Sequence, residues 1–236
     1  KYLEFLTKLE KFENVPWLHK KSLPFYTSTG CLYKCKFCTE NLFNGYSMYN
    51  LKIIENYFTY LNKIGIKDIT ILDNLANPTK TRLENLIKLL IKYNIHADFP
   101  NGIRADNLNS RLIGLLSYVT TFLKISVETG DETQRKRLGK NISDQRIFEI
   151  CNAAKKNGLF LQAHYLIDLP EENKENADKT LNLAFMLYKK YGCEPLIQPL
   201  IPLKGSRITV SNYPENHNEL INCMKNKSKS FSKYLS

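Results

Sequence analysis

Long apolar runs are missing from this 236-residue sequence. No stretch approaches the ~20 residues that a membrane-spanning helix requires, which excludes a helical membrane span. No signal peptide is visible. Residue 1 is lysine rather than methionine, which predicts a piece of a longer chain, so the absent targeting signal proves little. There is no internal repeat, which excludes solenoids and propellers, and no linker before about residue 205. Arginine clusters are absent too. The net charge of +11, from 34 basic and 23 acidic residues, is mostly lysine spread along the whole length. Such a charge suits an anionic partner such as RNA. The chain is also rich in Asn and Ile, as AT-rich coding would give, and the even spread favours that plainer origin.

Cysteine is scarce and unevenly placed, at Cys31, Cys35, Cys38, Cys151, Cys193 and Cys223. A disulfide framework belongs to short secreted chains with regular spacing. Three cysteines bunched and three scattered favour instead a reducing compartment, hence the cytoplasm, and a metal site.

What is present is a regular alternation of elements. "PFYTST" (24–29) is apolar and β-prone, and Gly30 stops it. Leu51, Ile54, Phe58, Leu61 and Ile64 recur at three- and four-residue steps, predicting a helix from Met48 to Ile64 closed by Gly65. "DITILD" (68–73) reads as a strand, and Leu83, Leu86, Ile87 and Leu90 mark a second helix. A strand at 95–99 precedes a helix that Asn109 caps and that runs to Leu116. "TFLKISVE" (121–128) is a strand. Ser143 or Asp144 caps a helix whose apolar face is Ile147, Ile150, Cys151 and Ala154, with Gly158 at its end. A strand (159–167), a helix (174–190) and a last strand (194–201) complete the series.

Six strands thus alternate with five helices, at steps of roughly 25 to 45 residues, long enough for parallel crossovers. The predicted class is α/β, a parallel sheet with helices outside, either open and doubly wound or barrel-like. In both, ligands gather at the carboxyl ends of the strands. Those ends carry Gly30–Cys31, Asp73–Asn74, Asn101–Arg104, Glu128, Asp168 and Lys204–Ser206.

The spacing Cys31-x₃-Cys35-x₂-Cys38 falls directly after the first strand. Thiolates are soft ligands for zinc or iron–sulfur clusters. A structural zinc site takes four protein ligands, whereas no Cys or His follows nearby; His19 lies upstream and Cys151 sits on a helix face. Three thiolates on a 4Fe–4S cluster leave one iron open for a substrate or cofactor. Zinc with a distant fourth ligand is the alternative.

The surrounding stretch, "STGCLYKCKFC" (28–38), closely resembles the signature of radical S-adenosylmethionine enzymes. Further pieces resemble that family in its own order: "ITILDN" (69–74), "GIRADNLN" (102–109), "LKISVETGDETQRKRLGKNIS" (123–143), "AAKKNGLFLQAHYLIDLPEEN" (153–173) and "PLIPLKGS" (199–206). The resemblance implies a six-stranded partial (β/α) TIM-like barrel of parallel strands over 24–210. It leaves 1–23 as a leading segment and 211–236 as a Lys/Ser-rich tail. It also implies a 4Fe–4S cluster on Cys31, Cys35 and Cys38, whose open iron chelates S-adenosylmethionine. Reductive cleavage would then give methionine and a 5′-deoxyadenosyl radical that abstracts hydrogen. The sequence departs from the family at Thr29, where many relatives have arginine, and at Asp168, where glycine is common.

Carried onto this sequence, the resemblance puts Phe37 beside the adenine, Asp73 and Asn74 at the cofactor's amino group, and Glu128 near the ribose. Asp73 could instead cap the next turn. Arg104 could pair with the methionyl carboxylate or form a surface ion pair. Glu128 could instead pair with Lys124. Ser126 shares the parity of Glu128, and Gln162 shares that of His164, so all three could face the barrel interior; His164 could equally be a satisfied core histidine. The segment "ENVPWLHKKSLPFYTSTGC" (13–31) looks most like the cobalamin-associated branch, which implies a corrin-binding domain before Lys1 and methyl transfer. A reduced flavodoxin or ferredoxin-type donor would supply electrons. The substrate class stays open among small molecules, peptides and RNA. Alternatives are a tRNA methylthiotransferase and a non-enzymatic zinc or RNA-binding module.

Overall fold

A computed structural model of the chain describes residues 22–42, 45–170, 172–201, 203 and 205–208. His19, Lys204, Cys223 and the 211–236 tail lie outside the described residues. In chain order the elements begin β1 (Ser22–Phe25), β2 (Ser28–Gly30), β3 (Tyr46–Met48), α1 (Leu51–Lys63), β4 (Asp68–Ile71), α2 (Lys80–Lys92) and β5 (His96–Asp98). They continue α3 (Ser110–Leu116), β6 (Phe122–Glu128), α4 (Glu132–Leu138), α5 (Asp144–Lys156), β7 (Phe160–Ile167), α6 (Lys174–Tyr191) and β8 (Glu194–Pro199).

The helices start where a short polar side chain can accept an otherwise orphaned backbone N–H. Asn50, Thr79, Asn109, Asp131, Ser143 and Asn173 each do so at the head of α1 to α6. The apolar stripes then pack inward: Ile54, Phe58 and Leu61 of α1 and Leu83, Leu86, Ile87 and Leu90 of α2 are buried. Each such side chain contributes roughly 1.5–3 kcal/mol. On β6 and β7 the alternation is clean. Leu123, Ile125, Val127, Leu161, Ala163 and Tyr165 are buried in the main core, while Lys124, Ser126, Gln162 and His164 on the other face are half-buried. Cys151 and Cys193 meet in that core, and this contact together with burial holds the Cys151 thiol well above the usual range.

The strands form two parallel ladders, β1-β4-β5 and β6-β7-β8. A single parallel bridge, Ile103 to Ile125, and the bond from Ala97 N to Val119 O (2.8 Å) join them across the gap. The result is an α/β fold of parallel sheets, and among the described residues no pairing closes β8 onto β1. β8 carries Pro195 and Pro199, which suits a strand with one open edge.

Two local features differ from the sequence reading. The first strand is not continuous over 24–29: the chain breaks at Tyr26–Thr27, and β2 turns away to pair antiparallel with β3. The cause is Asp73, which accepts from Thr27 N at 2.7 Å and draws the backbone off the β1 ladder. The segment after β6, between the expected strand at 121–128 and the helix capped at Ser143 or Asp144, holds α4. Its buried side is Gln134, Arg135 and Leu138, so it lacks the apolar periodicity by which helices are read.

Candidate active site

The β2–β3 hairpin carries the cysteine loop. Gly30 has φ +75°, and a side chain there would meet the Gly45 carbonyl at 2.2 Å. Only glycine allows the two strands to close this tightly just before Cys31. Cys35 is buried, and Cys31 and Cys38 are half-buried. The loop is tied on both sides: Cys38 N donates to Cys35 O (3.1 Å), Lys36 N to Leu138 O (3.3 Å) and Arg207 N to Lys36 O (2.8 Å). Burial pushes the Cys31 and Cys38 thiols up, backbone hydrogen bonds oppose it, and the neighbouring loop sulfurs add to the rise. As thiolates, Cys31 and Cys38 would be favoured by a metal cation beside them. Three cysteine thiols on one short loop suit a four-iron cluster, which spreads its thiolates over separate irons.

Phe37 packs against Leu138, Leu169, Leu200 and Ile208 in a small apolar cluster beneath the loop. Asn74 is exposed and lines a cavity of about 520 Å³ with Thr29, Gly30, Glu40, Gly45, Tyr46 and Ser47. That volume is in the range of small-molecule sites, and the cavity adjoins the loop through Gly30. Arg104, Ser126, Glu128, Gln162 and His164 do not line it.

Three residues expected at the cofactor, Asp73, Arg104 and Glu128, have protein partners. Asp73 is 1% exposed, and its carboxylate accepts from Thr27 N, Thr27 Oγ1 and Ser28 Oγ (2.8 Å). Arg104 donates from Nη1 to Cys35 Sγ (3.4 Å) and from Nη2 to Asp106 (2.6 Å) and the Gly139 carbonyl (2.7 Å). Glu128 pairs with Lys140 at 2.9 Å, not with Lys124, and both side chains are buried. Burial pulls the Lys140 ammonium down, yet Glu128 and the Cys35 sulfur outweigh it and hold its pKa raised. Gln162 donates to Glu194 at 3.3 Å, at the amino end of β8 and away from the rim.

Ser126 and His164 are register neighbours on β6 and β7. His164 Nε2 is buried without a hydrogen-bond partner among the described residues. Burial pushes its imidazolium pKa down, against the pull of Glu128. The ladder shifts register between Ser126 and Glu128, and Glu128 and Asp168 have φ of +72° and +66°. Such a conformation costs a non-glycine residue about 1–3 kcal/mol, and strain of this kind clusters at functional sites. Lys140 escaped the sequence reading; its one signal was a lysine directly after a helix-ending glycine, Gly139.

The family model of the Radical SAM superfamily matches residues 25–184. An uncharacterized methyltransferase, PH0819 of Pyrococcus horikoshii, is 23% identical over 164 residues, which are 67% of this chain and 35% of that protein. The uncharacterized protein MJ1620 of Methanocaldococcus jannaschii is 31% identical over 110 residues, 44% of this chain and 22% of that one. The chain therefore spans about a third or less of these curated relatives. Among solved structures, the radical S-adenosylmethionine methyltransferase TsrM of Kitasatospora setae, with cobalamin and a [4Fe-4S] cluster bound, superposes with TM-score 0.65 at 13% identity, over 80% of this chain and 39% of that one. The cobalamin-dependent S-adenosylmethionine radical enzyme OxsB, with aqua-cobalamin and S-adenosylmethionine bound, gives TM-score 0.63 at 19% identity, over 96% and 32%. At these identities the structural likeness establishes the fold alone.

Proposed function

Because the chain belongs to the Radical SAM superfamily, a family of enzymes that use a 4Fe–4S cluster and S-adenosylmethionine, we propose that Cys31, Cys35 and Cys38 hold that cluster here. The observation that carries the reading is the loop itself: Cys31, Cys35 and Cys38 within the connection of one β-hairpin. When bound, the cluster and S-adenosylmethionine supply reductive cleavage to methionine and a 5′-deoxyadenosyl radical that abstracts hydrogen. The protein's own residues bind, orient and exclude water. Asn74 and the hairpin offer the cavity, and Phe37 with its leucine neighbours keeps the floor of the loop dry. Lys140 and Glu128 place a buried ion pair at the rim, and His164 presents a neutral, unpartnered nitrogen on the inner face.

The subclass favoured is cobalamin-dependent methyl transfer. Its support is that TsrM and OxsB carry cobalamin and that PH0819 is named a methyltransferase. The corrin would be held by a domain outside this chain, a flavodoxin- or ferredoxin-type donor would supply electrons, and the cytoplasm would be the location. In this reading the two ladders act as one six-stranded partial barrel, with residues 24–210 as its core.

Anaerobic reconstitution tests the proposal. Iron and acid-labile sulfide in about equal, fourfold amounts per chain, with 5′-deoxyadenosine formed under dithionite, are expected. Cys35→Ser should lower that product more than ~100-fold, since even outer partners of a metal site are worth 10–100-fold. One zinc without sulfide, or undiminished product from the variant, would overturn the reading.

A further inference from the structure

We propose that Arg104 is a positioning residue that makes the cluster easier to reduce, by donating a hydrogen bond to the sulfur of Cys35. This rests on the cluster assignment above and adds a role for one side chain within it.

The observation is a buried guanidinium, 8% exposed, whose Nη1 lies 3.4 Å from Cys35 Sγ. A surface ion pair would leave this group free to turn. Here both terminal nitrogens and the ring-facing plane are held. Its Cζ sits 3.5 Å from the centre of the Tyr33 ring. Nη2 bridges Asp106 at 2.6 Å and the Gly139 carbonyl at 2.7 Å. The ring beneath is held in turn by Asn107 Nδ2, which donates to the Tyr33 hydroxyl at 2.9 Å. The backbone is pinned as well: Asn77 donates to Arg104 O (2.8 Å) and accepts from Arg104 N (3.1 Å). Gly139 turns its carbonyl to the guanidinium from left-handed backbone, φ +88°, which glycine adopts without strain. The fork geometry of arginine allows one nitrogen to anchor on Asp106 and Gly139 while the other addresses sulfur, which a lysine ammonium cannot reproduce.

The consequence follows from charge. On reduction, one electron enters the cluster from the external donor, no bond is broken, and the sulfurs gain negative charge. An N–H donor and a cation beside a ligand sulfur stabilise that added charge more than the oxidised state, so the potential rises. The effect is strong where water does not screen it. Asp106 offsets part of the net charge, but the N–H dipole towards sulfur persists. Nη1 and Nη2 are engaged by Cys35, Asp106 and Gly139, which leaves Nε as the buried donor without a partner among the described residues.

The test is a potentiometric titration of the anaerobically reconstituted full chain, read by the paramagnetic signal of the reduced cluster. Arg104→Met, at wild-type iron and sulfide content, should show about tenfold less reduced cluster at a fixed potential, or about 59 mV for a one-electron couple. Arg104→Lys should fall between. If Arg104→Met fails to assemble, Tyr33→Leu serves, since it keeps guanidinium and thiols but removes the stacking surface; a smaller fall in the same direction is expected. An unchanged potential in assembled variants, or weakened S-adenosylmethionine binding at unchanged potential, overturns the role of Arg104 alone. A wild-type chain that assembles no cluster overturns the cluster assignment and this inference together.

Discussion

At the end of β4, Asp73 is closed off: its carboxylate is engaged by Thr27 and Ser28, and all three residues are buried. At the ends of β6 and β7, by contrast, Glu128 and Asp168 sit in left-handed backbone, and His164 Nε2 and Glu172 Oε1 are buried without hydrogen-bond partners among the described residues. The same kind of place in the fold, the carboxyl end of a parallel strand, is finished in two ways. The first half of the rim uses its polar groups to build the hairpin that carries the cysteines. The second half adds strained, left-handed backbone, which clusters at functional sites, whereas buried polar atoms without partners occur in both halves, Arg104 Nε and Asp106 Oδ1 in the first. On the proposed function, the cluster belongs to the first half and recognition of what reacts to the second.

The largest expected effect comes from the buried pair of Glu128 and Lys140 in the second half. Lys140→Met leaves Glu128 buried without its cation, and breaking such a pair from one side costs about 3–5 kcal/mol. Denaturant unfolding should show that loss, while the double variant Glu128→Gln/Lys140→Met recovers most of it. A single variant as stable as wild type would mean that water reaches Glu128, and the contrast between the halves would collapse.

A smaller effect depends on pH. Glu172 accepts from the backbone N–H groups of Asp168 and Leu169. Burial pushes its carboxyl up to about 7, those N–H groups oppose the rise, and Asp168 adds to it. An unfolded glutamate titrates near ~4.3. Between the two values the folded chain holds a proton that the unfolded chain has released. The stability from this group is therefore complete below pH ~4.3 and is lost as pH rises through about 7, on the order of 3 kcal/mol in all. Glu172→Gln keeps an acceptor for both N–H groups and removes the titration. Unfolding free energies from pH 5 to pH 8 should diverge in favour of the variant. A constant gap would show that Glu172 ionises freely, and the second half would be less strained than its geometry indicates.

Much of this molecule was legible in its sequence, and the reasons for the rest are local. Ile54, Phe58 and Leu61 announced α1 because its packing is apolar and periodic. The strands β6 and β7 were read to within a residue, since one face is buried and the other is not. α4 escaped because a charged residue, Arg135, fills its interior place, satisfied by the Ile142 and Thr129 carbonyls. The β2–β3 hairpin escaped because strands of three residues carry too little pattern. At the site, the Cys-x₃-Cys-x₂-Cys spacing named the loop because all its ligands are local in the chain. Arg104, Glu128 and Asp73 could be placed at strand ends, but their partners were not readable. Gly139 and Lys140 come from the far side of α4, and Thr27 occupied a stretch expected to be plain strand.

Asp73 therefore gives the finest test of the contrast, since sequence and structure assign it different work. Asp73→Ala removes the acceptor of a buried backbone N–H and of the Thr27 hydroxyl, while Ser28 Oγ keeps its bond to Leu75 O at 3.0 Å. Leaving one such buried donor unpaired costs about 1–3 kcal/mol. Urea unfolding should register that loss, because Thr27 and Ser28 lead directly into Gly30 and the cysteines. Equilibrium binding of S-adenosylmethionine should weaken only as far as the hairpin loosens, and Asp73→Asn, which keeps one carbonyl acceptor, should fall between in both measurements. A tenfold loss of affinity at unchanged stability would reverse the assignment: Asp73 would then face the ligand, and the first half of the rim would share in recognition.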